Sequence, residues 1–415
     1  MISSQHHSQF ARLIALPLCQ RIIKAIAATG GEARFVGGVI RDILAGQPLP
    51  QYPDLDMAMN IAPDLAQDIL HKEGLRVLPT GIAHGTITVF DPKSDKIKVE
   101  LTTLRRDLDT DGRHAVVGFT DDWNEDAARR DFTINSIFLD ADGAIIDPFQ
   151  GCRDLADGTV RFIGDPTARI AEDYLRILRF FRFYGRFAKG APDPEAISAI
   201  TASKDGLAQI SGERIAQELD GIVMQPDPRG LVAMHDAGID HMIANNGINL
   251  EAYGLARDAM PDLPLPARYA VLFDDLEDGL ARLKLPNKSQ QAARYFAAGP
   301  IDLEAIKGDG WQQAAWQMRP SFGGDLAALT AIKYVVNAAR AGQEINLDDL
   351  RRIKNWDWPS FPLKGRDLIA IGYTASPALG VAMDWLENLW AEGGFAAGRS
   401  TLIAEATRKL LDEDS

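Results

Sequence analysis

Apolar positions recur at helical spacing over residues 10–28 and stop at Thr29-Gly30-Gly31, which predicts one helix closed by glycine. Residues 33–36 are mostly apolar and suit a short strand. Gly37-Gly38 breaks it, and 39–45 reads as a helix ending at Gly46. After a loop at 48–53, residues 55–59 return as a strand and 63–73 as a helix before Gly74. Residues 85–90 and 96–102 alternate with a period of two and flank Asp91-Pro92-Lys93-Ser94-Asp95, which predicts a β-hairpin. Residues 105–123 are polar and acidic with no clear period, so they are expected to form a mobile loop. Beyond Ile145-Ile146 only 159–163 carries a strand signal, and helical spacing runs from Pro166 almost to the end. The expected class is α+β, a mixed-sheet front part followed by an all-helical back part.

At 415 residues the chain exceeds one ordinary core and predicts several domains. Hydrophobic residues make up 46% and charged residues 25%, values of a globular rather than a disordered chain. No apolar run approaches the roughly 20 residues needed to span a bilayer. The first ten residues lack a basic cluster before an apolar core, so no targeting signal is expected and the cytoplasm is the predicted location. Two cysteines, Cys19 and Cys152, are too few for a disulfide framework. The net charge of −14 argues against a nucleic-acid partner until its distribution is considered. Over 161–189, seven basic residues stand against three acidic ones, a local net charge of +4 that suits a polyanion. Six of the seven tryptophans lie after residue 310, where packing of a helical core is expected over stacking on bases.

The densest chemistry lies early in the chain. In Asp54-Leu55-Asp56, strand alternation directs both carboxylates to one side, a geometry that suits a divalent metal, and Glu100 on a second predicted strand offers a third carboxylate. Gly37-Gly38 between strand and helix allows phosphate oxygens to approach backbone N–H groups, with Arg41 in the first helical turn. In Arg129-Arg130-Asp131-Phe132-Thr133-Ile134-Asn135, a helix start would set Asp131 and Asn135 on one face to read sugar hydroxyls while Arg130 addresses phosphate. Within 172–179, read as one amphipathic helix, Asp173 beside Arg176 presents an acceptor next to donors. That complements the edge shared by cytosine and adenine and repels uracil and guanine; Arg179 follows on the same helix.

These five ordered motifs, spread over 35–187, resemble the class II CCA-adding tRNA nucleotidyltransferases and their relatives, the bacterial poly(A) polymerases. The resemblance implies a nucleotidyltransferase (polymerase beta-like) head over 1–150, a helical neck with base-reading residues over 151–225, and a helical body and tail over 226–415 that hold tRNA. It implies that Asp54 and Asp56 hold two Mg²⁺ ions with Glu100 as third carboxylate, that Gly37, Gly38, Arg41, Arg130 and Arg179 belong to the nucleotide site, and that Asp131 and Asn135 monitor the ribose. Asp173 and Arg176 would act as a protein template for CTP and ATP. The expected activity is template-independent addition of CCA to the tRNA 3′ end with release of pyrophosphate, by a monomer or homodimer. Poly(A) synthesis is the alternative within the family, and a non-catalytic RNA-binding protein the alternative outside it. Gly81-Ile82-Ala83-His84-Gly85-Thr86 and Asp111-Gly112-Arg113-His114 resemble the CCA-adding pattern, whereas Ser136 stands where poly(A) polymerases often carry serine.

Overall fold

The computed structural model describes residues 3–91, 94–109, 116–299, 311–320 and 323–413. The chain divides into two compact units, Met1–Met242 and Ile243–Ser415. In the first, helices α1 (Ser4–Ile14) and α2 (Pro17–Ala27) replace the single helix expected over 10–28. Pro17 is the reason. Without an N–H it cannot continue α1, and its fixed φ suits the first turn of α2. Strand β1 (Ala33–Val36), helix α3 (Gly38–Leu44), β2 (Leu55–Met59), α4 (Pro63–Lys72), β4 (Thr86–Asp91) and β5 (Ser94–Thr103) follow the sequence periods closely.

Four further strands were not legible. β3 (Arg76–Gly81) contains Pro79, which argues against a strand, but β3 lies at the edge of the sheet, where a missing N–H costs no ladder bond. β6 (Arg105–Asp109) and β7 (Val116–Phe119) form an antiparallel ribbon within the segment expected to be a loop. The ribbon stands apart from the main sheet, so its pairing needs no alternation of apolar residues. Asp111-Gly112-Arg113-His114 lies outside the described residues. β8 (Phe138–Leu139) completes a seven-stranded sheet with β9 (Ile145–Ile146), in the order β3-β4-β5-β2-β1-β8-β9. β1 runs antiparallel to β2 and β2 parallel to β5, so the sheet is mixed as expected.

One face of the sheet packs on α1, α2 and α4 through a core that includes Phe10, Ile22, Phe35, Met57, Met59, Leu70 and Leu101. The strand signal at 159–163 amounts to a single bridge between Phe132 and Phe162. Among the described residues no strand follows Ile146. Helices α5 (Trp123–Ala128), α6 (Gly151–Asp157), α7 (Pro166–Glu172), α8 (Arg176–Phe187), α9 (Pro194–Ser203), α10 (Gly212–Val223) and α11 (Arg229–Asp236) complete the first unit. Its end at Met242 lies beyond residue 225, because α11 packs closely on α8. Gly230 makes this approach possible: a Cβ there would lie 2.5 Å from the Phe181 carbonyl oxygen.

Every regular element described in the second unit is a helix. Trp311, Trp316, Trp356, Trp358 and Trp390 pack on one another, with the Trp316 and Trp390 rings 5.3 Å apart and both against Phe395, in a core shared with Leu386 and Leu402. Packing therefore accounts for these side chains, as the sequence predicts. No described helix is long and apolar enough to cross a membrane.

Candidate active site

The antiparallel register opposes Val36 to Asp56, so the turn that follows β1 lies against the Asp56 side chain. Gly37 has φ +78°, and a Cβ there would lie 3.1 Å from Asp56 Oδ2. Gly38 is helical, and its Cβ would meet only Arg41 Nη2, at 3.5 Å. Gly37→Ala should therefore cost about 1–3 kcal/mol and lower turnover by displacing Asp56, whereas Gly38→Ala should leave stability unchanged. Thermal melts and initial rates of the two variants check this.

Leu55, Met57 and Met59 enter the core, which leaves Asp54 and Asp56 on the open side of β2. The parallel pairing with β5 sets Asp56 opposite Glu100. The pKa of the Asp56 carboxyl is raised, first by the protein mass around it and then by the charges of Asp54 and Glu100. Its side chain opens to solvent, so water screens part of this effect. Like charges gathered in this way are relieved by a cation. Among the described residues no group of three or more acidic, His or Cys side chains is assembled around one metal position. A two-carboxylate face with open positions fits Mg²⁺, which keeps several ligands for water and phosphate.

Ten of the twelve residues singled out from sequence line one cavity of ≈ 810 Å³: Gly37, Gly38, Arg41, Asp56, Arg130, Asp131, Asn135, Asp173, Arg176 and Arg179. Asp54 and Glu100 are not among its lining residues; they flank Asp56 on the sheet. The 129–135 segment is not a helix start. Phe132 is extended and a 3₁₀ turn covers Thr133–Asn135, yet Asn135 Nδ2 still donates to Asp131 Oδ1 at 2.8 Å. Asp131 Oδ1 also accepts from the Phe132 amide, and Oδ2 from Arg179 Nε at 2.7 Å. Burial pushes this carboxyl up, but Arg179 and these hydrogen bonds outweigh it and hold its pKa below the usual range. Asn135 Oδ1 in turn accepts from Arg41 Nη1 at 2.6 Å, and Arg41 is buried over the rings of Phe183 and Phe187. Arg130 is held by Asp126, 2.9 Å away.

The 172–179 segment is likewise not one helix. α7 stops at Glu172, Asp173 is extended, and α8 starts at Arg176. Asp173 and Arg176 each pair with another residue rather than with one another. Asp173 Oδ2 accepts from Arg214 Nη2 at 2.7 Å, and Arg176 Nη1 donates to Glu172 Oε2 at 2.5 Å. Sequence reasoning missed Arg214 and also Glu218, which pairs with Arg179 and Arg182 from α10; neither stands in a motif of its own. Ser136 is fully buried and donates to the Thr133 carbonyl, so its hydroxyl does not face the cavity. Eight arginines and three aspartates line this cavity within an acidic chain, a charge balance suited to a polyphosphate.

Residues 33–161 match the Poly A polymerase head domain family. Over 90% of its length the chain is 35% identical to the mitochondrial CCA tRNA nucleotidyltransferase 1 of Danio rerio, 86% of which is covered. The chain belongs to the CCA-adding tRNA nucleotidyltransferase family. A CCA-adding enzyme of Geobacillus thermodenitrificans is 31% identical over 88% of the chain and 86% of its own length. The Bacillus stearothermophilus CCA-adding enzyme, solved in complex with CTP, superposes with a TM-score of 0.71 at 25% identity, covering 96% of this chain and 99% of that one. The mixed-sheet head and helical remainder are thus the fold of this family, whose chemistry depends on divalent metal.

Proposed function

We propose that this chain completes tRNA 3′ ends by adding C, C and A from CTP and ATP, releasing pyrophosphate at each step. The observation that carries this reading is the arginine-rich cavity shared by Asp56 and the Gly37-Gly38 turn with Asp173 and Arg176. It provides for phosphate chemistry and base selection within reach of one nucleotide. In this reading 1–150 is the catalytic head, 151–225 the base-reading neck, and 226–415 the body and tail for tRNA. Asp54 and Asp56, beside Glu100, would hold Mg²⁺, which when bound lowers the pKa of the attacking 3′-hydroxyl and neutralises charge on the departing pyrophosphate. Arg41, Arg130 and Arg179, with the Gly37-Gly38 backbone, bind and orient the triphosphate; Asp131 and Asn135 address the ribose. The free cysteines fit a reducing compartment, of which the cytoplasm is one.

Asp173 retains lone pairs beside its bonds to Arg214 and the Leu175 amide, so it can accept from the exocyclic amine of cytosine or adenine. Arg176, fixed by Glu172, supplies the adjacent donors. Asp173→Ala should relax selection against UTP and GTP by about 10- to 100-fold, the effect of about 1–3 kcal/mol. The test offers purified protein, Mg²⁺ and tRNA ending at the discriminator base each nucleotide alone and CTP with ATP together, with products sized on a gel. Two C additions, one A and a stop support the reading. A long A ladder from ATP alone would make the protein a poly(A) polymerase, and no extension would leave RNA binding without catalysis.

A further inference from the structure

The carboxylate face carries a cation of its own. Leu55 pairs with Val99 and Asp56 with Glu100, so the parallel register also sets Asp54, one step before β2, against Lys98. Strand alternation then gathers Asp54, Asp56, Lys98 and Glu100 on one face of the sheet. Lys98 Nζ lies 3.0 Å from Glu100 Oε1 and 3.7 Å from Asp54 Oδ1, between one of the two carboxylates assigned above to metal and the third carboxylate beside them. The three side chains are open to solvent, at 46%, 44% and 84% exposure for Lys98, Glu100 and Asp54, so exchange with ions from solution is unobstructed.

We propose that Lys98 is an internal counter-ion that competes with divalent metal for Asp54 and Glu100 in the nucleotide-free protein. The inference rests on the reading that Asp54 and Asp56, with Glu100 as third carboxylate, hold the metal. An ammonium is a compact point charge on a flexible stem, able to neutralise two carboxylates partially and to swing away without disturbing the strand. A divalent ion carries twice that charge and recruits phosphate oxygens as further ligands. It therefore displaces Lys98 most readily when it arrives with a nucleoside triphosphate, and the released ammonium finds a new partner in the incoming polyanion. Without nucleotide, metal must both expel Lys98 and bind beside its positive charge. Lys98 thus weakens loading of the empty site and couples metal entry to substrate entry. It is a positioning residue: it acts through the metal-holding carboxylates.

Binding of Mn²⁺ alone, followed by the free-ion electron paramagnetic resonance signal at neutral pH without nucleotide, separates the possibilities. Lys98→Met should bind Mn²⁺ about three- to tenfold more tightly than the wild type, the size expected for an exposed charge a few ångströms from the ion. Lys98→Arg, which keeps the charge, should match the wild type. Melting temperatures of both variants should stay at the wild-type value, because exposed pairs add little stability. An unchanged or weaker affinity in Lys98→Met overturns the inference. Asp54→Ala/Asp56→Ala, run alongside, tests the reading beneath it. Lost Mn²⁺ binding in that variant leaves the metal reading intact whatever Lys98 does; unchanged binding there overturns both.

Discussion

Asp54→Ala and Asp56→Ala will each lower the rate of nucleotide addition by about 10³-fold or more, the loss expected when a metal ligand supplying several kcal/mol to the transition state is removed. The fold will survive. Asp54 is exposed and among the described residues pairs only with the exposed Lys98, and the pKa of Asp56 is raised by burial and then by like charges, so neither carboxylate adds much stability to the metal-free protein. Asp56→Asn sharpens the point. A raised folded-state pKa means that the ionised group costs stability above that pKa, and that the cost fades as pH falls towards the unfolded value. In EDTA at neutral pH, Asp56→Asn should melt at or above the wild-type temperature, and the difference should close in acid. Single-turnover rates with melts at pH 4 to 8 provide the measurement. Full activity in either alanine variant would remove the metal reading of this strand.

The second large effect concerns Asp131, which joins the head to α8. Its carboxylate accepts from Arg179 Nε and Nη2, the Asn135 amide and the Phe132 N–H, and its side chain is only 9% exposed. Asp131→Ala leaves a partly buried guanidinium unpaired and should cost about 2–4 kcal/mol, lowered from the full buried-pair value because Arg179 keeps Glu218 and some solvent. For a unit of this size that is a drop of about 5–15 °C in melting temperature. Combining Asp131→Ala with Arg179→Met should recover part of the loss, because no unpaired charge remains. The pH dependence runs opposite to that of Asp56. With its folded-state pKa lowered, the contribution of Asp131 is complete above the unfolded carboxylate value of about 4 and is lost as pH falls through the folded one. A double variant no more stable than Asp131→Ala would show that the pair is not the cause.

Local order was legible because it is written at short range. The strand–glycine–helix run at 33–44, the alternation of Asp54 and Asp56 and the placing of Glu100 on a strand follow from periods of two and 3.6 residues that neighbouring residues set. Errors occurred where a long-range contact supplies what local pattern lacks. β3 tolerates Pro79 because the finished sheet makes it an edge. The bridge between Phe132 and Phe162 takes 129–135 away from a helix, and Asp173 finds its partner in Arg214, which stands in no motif. By itself the sequence determined the α+β class, the family and ten of the residues that line the cavity. Only the tertiary structure decided their partners: Arg41 meets Asn135 across 94 positions, Arg179 meets Asp131 across 48, and Arg214 meets Asp173 across 41. The physical reason is that an arginine's fork can satisfy many carboxylates or amides equally well, and packing of separate elements alone selects which one lies within hydrogen-bond reach.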